Sequence, residues 1–246
     1  MEKYLYFGVL LFAISYPLAQ SFEHRIRYAT KWSALFPGML ITALFFIVWD
    51  VWFTQIGVWE FNHRYITGYF LGNLPIEEIL FFFIIPFACV FIYEVLIYFF
   101  PKDYFKPLGK PFVFVMVPLL LVIGILNLDK WYTSVNFIIG AIALLVHYLI
   151  FKDQYLGRFL FAYLVHLIPL MLCNGVLTGG LTEEPVVIYN NSENLGIRIW
   201  TVPIEDTIYS MTLFLMNISF FEKFRSQKTI ANLESLKSNE ESPSTY

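Results

Sequence analysis

Charge is scarce in this chain. Only 14% of its 246 residues are Asp, Glu, Lys or Arg, against roughly 25% in a soluble domain. Net charge is -3 and no basic patch resembles a nucleic-acid surface. Cysteine is nearly absent too. The two present, Cys89 and Cys173, lie inside apolar runs. They form no Cys-x-x-Cys and no disulfide framework, and read as small buried hydrophobes. No Gly-x-Gly-x-x-Gly opens a strand–helix unit, so a dinucleotide or flavin fingerprint is missing. No His-Glu-x-x-His or similar spacing offers a metal site, and no metal is expected. What remains is apolar: 58% hydrophobic residues, 20% aromatic, 27 of them Phe, with mean hydropathy +0.64. These values describe an integral membrane protein.

The apolar runs predict an all-α polytopic membrane protein of about seven transmembrane helices. They fall near 4–20, 32–53, 76–99, 111–126, 132–151, 158–176 and 204–221, several close to the lower limit of about 17 residues for a span. The first run ends PLAQS and could pass for a signal peptide. Its charged leader is only Glu2 and Lys3, so it reads as a retained helix.

Orientation follows from the cations. With seven spans, one side holds Arg25, Arg27, Lys31, Lys102, Lys106, Lys110, Lys152, Arg158, Lys223, Arg225, Lys228 and Lys237. The other holds only Lys3, Arg64, Lys130 and Arg198. The positive-inside rule places the N-terminus outside and the C-terminus in the cytoplasm of a multi-pass inner-membrane protein.

Two segments match. Residues 75–94 read PIEEILFFFIIPFACVFIYE and residues 203–222 read PIEDTIYSMTLFLMNISFFE. Each starts Pro-Ile-Glu-carboxylate and ends in Glu, Glu94 or Glu222. Four crossings separate the two helices, so they point the same way and the repeat is parallel. The expected division is a first three-helix repeat at 1–100, a connecting helix at 101–130, a second three-helix repeat at 131–224 and a disordered polar tail at 225–246.

Carboxylates beside hydrocarbon are costly and mark function. Pro75 and Pro203 suit a first helical turn, which puts Glu77, Glu78, Glu205 and Asp206 at helix N-termini. Capping by the helix dipole is the plain explanation for one pair; two aligned pairs in a charge-poor chain favour chemistry. Neighbours on a helix project about 100° apart, so one carboxylate of each pair can face the bundle and the other the loop. Crowded carboxyls in an apolar setting cannot all ionise, so acids and bases can coexist. Glu94 lies 17 residues beyond Glu77, about 25 Å along a helix, and reads with Glu222 as a boundary or interhelix residue. His147 and His166 read as polar contacts between helices. The Phe81–Phe83 run suits packing, or a wall whose aromatic faces stabilise a cation. Asp50 ends the second helix and precedes GVWEFN (57–62). Asn174 ends the sixth and precedes a long loop (175–201) containing Arg198. Both loops lead into Pro-Ile-Glu, and long ordered loops often wall a site. Asp50, Trp59, Asn174 and Arg198 are therefore the candidate substrate-binding residues.

These motifs carry a resemblance. LPIEE (74–78), TVPIED (201–206), Asp50 with GVWEF (57–61), NGVLTGG (174–180), PVVIYN (185–190) and LGIRIWTVPIED (195–206) resemble the small membrane lycopene β-cyclases in their fused form. The family's Pro-x-Glu-(Glu/Asp) signature falls on Pro75, Glu77 and Glu78 and on Pro203, Glu205 and Asp206. The resemblance implies carotenoid biosynthesis: proton-initiated cyclisation of the ψ-ends of lycopene to β-rings, giving β-carotene through a monocyclic intermediate. It implies an enzyme of the isomerase type, with Glu77, Glu78, Glu205 and Asp206 catalytic and no cofactor. Lycopene and the lipid bilayer are the implied partners, other carotenoid-pathway enzymes are candidate partners, and no nucleic acid is involved. Which carboxylate is acid and which is base stays open.

Rival readings are a carotenoid hydratase acting on the same terminal double bond, a proton-coupled transporter and a retinal-binding opsin. The last needs a lysine in the final helix, and residues 204–221 contain none. A transporter would more often carry its carboxylates mid-helix.

Overall fold

The computed structural model describes residues 2–241, with side chains up to residue 231. Among the described residues the chain forms seven α-helices: α1 (Leu5–Gln20), α2 (Trp32–Gln55), α3 (Ile76–Phe99), α4 (Lys106–Leu126), α5 (Trp131–Phe151), α6 (Leu156–Leu177) and α7 (Glu205–Glu241). The helices α2 to α6 are long and apolar enough to cross a membrane. α1 is shorter, at 16 residues, and α7 opens on Glu205 and Asp206. Large apolar side chains stand exposed on the helix faces, with Phe12 at 72%, Val48 at 70% and Ile168 at 66%. Water would not tolerate so much apolar surface; hydrocarbon does. The chain is a membrane protein.

Two helices run well beyond the expected bounds. α4 starts at Lys106 because Pro107 occupies its first turn, where a missing N–H is harmless. α7 continues to Glu241. The segment 225–246, expected as a disordered tail, is therefore helical over its described part. It contains neither Gly nor Pro before Pro243, so no residue there breaks the helix. Residues 242–246 lie outside the described residues.

Three short antiparallel ribbons fold the loops at one end. β2 (Phe70–Leu71) pairs with β3 (Leu74–Pro75), and β5 (Arg198–Ile199) with β6 (Val202–Pro203). Each hairpin leads straight into a motif helix. Pro75 closes its hairpin in an extended conformation, ψ 149°, rather than entering the first turn of α3. The hairpin bases match: Ile76 N–H donates to Tyr69 O at 2.9 Å, and Ile204 N–H to Ile197 O at 2.9 Å. The third ribbon joins the two loops, β1 (Trp59–Phe61) on β4 (Val187–Tyr189).

α3 and α7 are tied at both ends, which fixes them as parallel. Their N-termini share the cavity described below. At the far end Tyr93 Oη donates to Glu222 at 2.8 Å, and Arg225 pairs with Glu94 at 2.7 Å and Glu222 at 3.1 Å. Lys31 also pairs with Glu94. Glu94 and Glu222 are thus interhelix residues. His147 Nδ1 lies 2.7 Å from Ser219 Oγ, joining α5 to α7. His166 Nδ1 lies 3.3 Å from Cys89 Sγ, joining α6 to α3.

Candidate active site

A cavity of about 50 Å³ opens where the two loops meet the helix ends. Three carboxyls line it: Asp50 from the end of α2, Glu78 from the start of α3 and Asp206 from the start of α7. All are buried. Burying a carboxylate without partners is costly, so the donors around each one matter.

Asp206 is held by three donors. Tyr132 Oη bonds Oδ1 at 2.5 Å; Asn174 Nδ2 and Tyr189 Oη bond Oδ2 at 3.0 and 3.1 Å. Glu78 has one, Tyr6 Oη at 2.5 Å. Asp50 accepts no hydrogen bond among the described residues, and its Oδ2 is buried without a partner. One side of the cavity is therefore rich in donors and the other poor. Burial, with Asp206 and Glu78 nearby, pushes the Tyr189 phenol well above its ordinary value, so it stays an O–H donor.

The walls are aromatic. The β1–β4 register sets Trp59 opposite Tyr189 and Phe61 opposite Val187, and all four line the cavity. Alternation along a strand puts these residues on one face, while Glu60 points outward. Trp59, Tyr132, Tyr189 and Tyr209 pack ring on ring, with centroids from 5.3 to 6.4 Å apart. Phe81 lines the α3 side.

The first carboxylate of each motif does not line the cavity. Glu77 Oε1 accepts Thr67 N–H at 2.7 Å. Glu205 Oε1 accepts Leu195 N–H at 2.7 Å and Thr133 Oγ1 at 2.7 Å. In both motifs the donor N–H lies ten residues upstream. Each motif thus aims one carboxylate at the cavity and its neighbour at the loop backbone. The structure brings together Asp50, Trp59, Asn174, Glu78 and Asp206. It leaves Arg198 outside the lining: this side chain braces its own loop through Thr201 O at 2.6 Å and Asn191 Oδ1 at 2.8 Å, and lies 5.8 Å over the Tyr189 ring.

Sequence reasoning does not single out Tyr6, Tyr132, Tyr189 or Tyr209 as site residues, yet all four line the cavity. Tyr6 precedes Glu78 by 72 residues and Tyr132 precedes Asp206 by 74. An alignment of the motifs at constant offset pairs Tyr6 with Ser134 and misses Tyr132 by two positions. The spacing was visible only if a small shift was allowed.

No curated protein matches the chain, and no solved structure does. The family model described as Lycopene cyclase matches residues 3–96 and 129–224. Those stretches carry Tyr6, Asp50 and Glu78 in the first and Tyr132, Asn174 and Asp206 in the second, and they leave out all of α4. With most of its length matched, and with both matched stretches lining one cavity, the chain belongs to the lycopene cyclase family.

Proposed function

We propose that this chain is a lycopene β-cyclase that closes β-rings on the ψ-ends of lycopene by proton transfer alone, giving β-carotene through a monocyclic intermediate. One observation carries the reading: carboxyls from both matched stretches line one small aromatic-walled cavity, with donors crowded on one side. Hydrogen bonds to a carboxylate favour its charged form, so Asp206, with three donors, is the base. Glu78, with a single donor and Asp50 across the cavity, supplies the proton; Asp50 replenishes it, and between turnovers water takes the proton from Asp206 and returns one to Asp50.

The steps balance without a redox partner. Glu78 protonates the terminal double bond and leaves a tertiary cation. The neighbouring double bond attacks it, forming the ring bond and moving the cation into the ring. Asp206 removes a ring proton and a new double bond forms. The aromatic faces stabilise the passing cation, and the β1–β4 ribbon keeps bulk water from trapping it. Water capture would give the hydratase product instead. Glu77 and Glu205 serve as positioning residues that hold the loops over the cavity.

The same reading takes all seven helices as spans, arranged as two parallel three-helix repeats joined by α4. It puts the cavity at the outer face and the N-terminus outside. Lycopene and the surrounding lipid are then the partners, and the chemistry calls for no electron carrier. The test is the purified chain in lipid vesicles, given lycopene without flavin or nicotinamide. Monocyclic product should appear first and β-carotene after it. Hydroxylated product, or strict dependence on reduced flavin, would contradict this function.

A further inference from the structure

The cavity admits only the end of a long polyene, so the rest of the substrate must lie elsewhere. A second, larger cavity of about 480 Å³ lies between α1, α3 and α6. It is walled largely by apolar side chains, with Glu23 and Arg25 at the end away from the loops. Asn174, which donates to Asp206, lines both cavities. One face of α3 also runs through both. Glu78 and Phe81 line the first, and Ile85, Ala88, Ile92 and Leu96 line the second. These six recur every three or four residues, which is one continuous stripe on a helix. From Glu78 to Leu96 the stripe is about 27 Å long at 1.5 Å per residue.

The matching seam on the other side is packed shut. There α2, α5 and α7 take the places of α6, α1 and α3. A Cβ on Gly140 of α5 would meet Ile208 Cγ2 at 3.0 Å and Thr212 Oγ1 at 3.1 Å, and one on Gly38 of α2 would meet Phe220 Cβ at 2.6 Å. Trp52 and Trp131 close the loop end of that seam edge-on at 5.5 Å.

We infer that the α1–α3–α6 cleft is the binding channel for the linear polyene chain of the substrate, and that among the described residues it is the one such channel that meets the composite site. The inference rests on the cyclase reading above. It follows that the two ends of the carotenoid are processed in turn, with release and reversal between them.

The test narrows the channel beyond the cavity. Ala88→Trp and, in a separate chain, Val165→Trp would be assayed in vesicles on lycopene and on a truncated polyene with the same ψ-end that stops short of Ala88. The ratio of rates, lycopene over truncated substrate, should fall about tenfold or more, since the indole would fill space that the longer chain needs and the truncated one does not. Thermal unfolding of each variant checks the fold. An unchanged ratio in both folded variants would overturn the channel. Binding gives an independent readout. The visible absorption bands of lycopene should shift on adding the Glu78→Gln chain, and Ala88→Trp placed on that background should abolish the shift. If an acyl chain of the bilayer fills the cleft instead, neither the shift nor the change in ratio will occur. If the unsubstituted chain turns over neither substrate yet shifts the lycopene bands, the channel stands and the cyclase reading falls.

Discussion

Glu77 and Glu78 are neighbours with different partners, and so are Glu205 and Asp206. The second of each pair faces the cavity; the first accepts a loop N–H. Amide substitution separates the two roles, because Gln keeps an accepting oxygen but cannot trade a proton. Glu78→Gln and Asp206→Asn should each slow ring formation by about 10²–10⁴-fold, the usual worth of a placed acid or base. Glu77→Gln and Glu205→Gln should stay within about tenfold of the parent chain, since a neutral acceptor still holds the loop for about 1 kcal/mol. Carotenoid product per unit of membrane protein is the measurement. Equal losses in all four variants would return catalysis to the first carboxylates. The carboxylates were legible in the sequence because charge is costly beside hydrocarbon, so each one demands a reason. The tyrosines were not, because a phenol in an aromatic-rich chain carries no such demand.

At the scale of elements, the helices could be read because a membrane span must be a long apolar run. The boundaries fell within a few residues wherever Pro or a polar turn marked the end. The ribbons could not be read. Strands of two or three residues have too short a period to register, and β1 meets its partner β4 more than a hundred residues away. Helix approach depends on small residues that hydropathy does not weigh. Gly157 at the start of α6 makes the tightest such approach to backbone: a Cβ there would meet the Lys106 backbone N at 2.5 Å and its Cα at 2.6 Å, with Asp103 Oδ1 at 2.4 Å. Backbone cannot step aside as a side-chain tip can. Gly157→Ala should therefore destabilise the α4–α6 junction by about 1–3 kcal/mol, seen as a lower unfolding temperature in detergent. The site is remote, so activity per folded molecule should hold. An unchanged unfolding temperature would mean that the junction is looser than drawn.

For the whole molecule, the two ends of the bundle have different characters. The loop end carries the ribbons and the carboxyl cavity; the far end gathers Lys31 and Arg225, both partly exposed, into ion pairs with the buried Glu94 and Glu222. On the topology proposed above, the skew of Lys and Arg would put that far end in the cytoplasm. Reporter fusions after residues 30, 65 and 225 should read cytoplasmic, external and cytoplasmic in turn. An external signal at 225 would rule out the seven-span arrangement. Such an arrangement lets an apolar substrate stay in the bilayer while its end reaches a polar cavity at the surface. The central claim is that a proton from a carboxylic acid starts the reaction and a different proton ends it. Running the lycopene assay in D₂O and weighing the β-carotene by mass spectrometry tests this most directly. The account predicts a single deuterium in each ring, because exchanged Glu78 delivers it and Asp206 removes a proton that came with the substrate; rings formed without deuterium would contradict it.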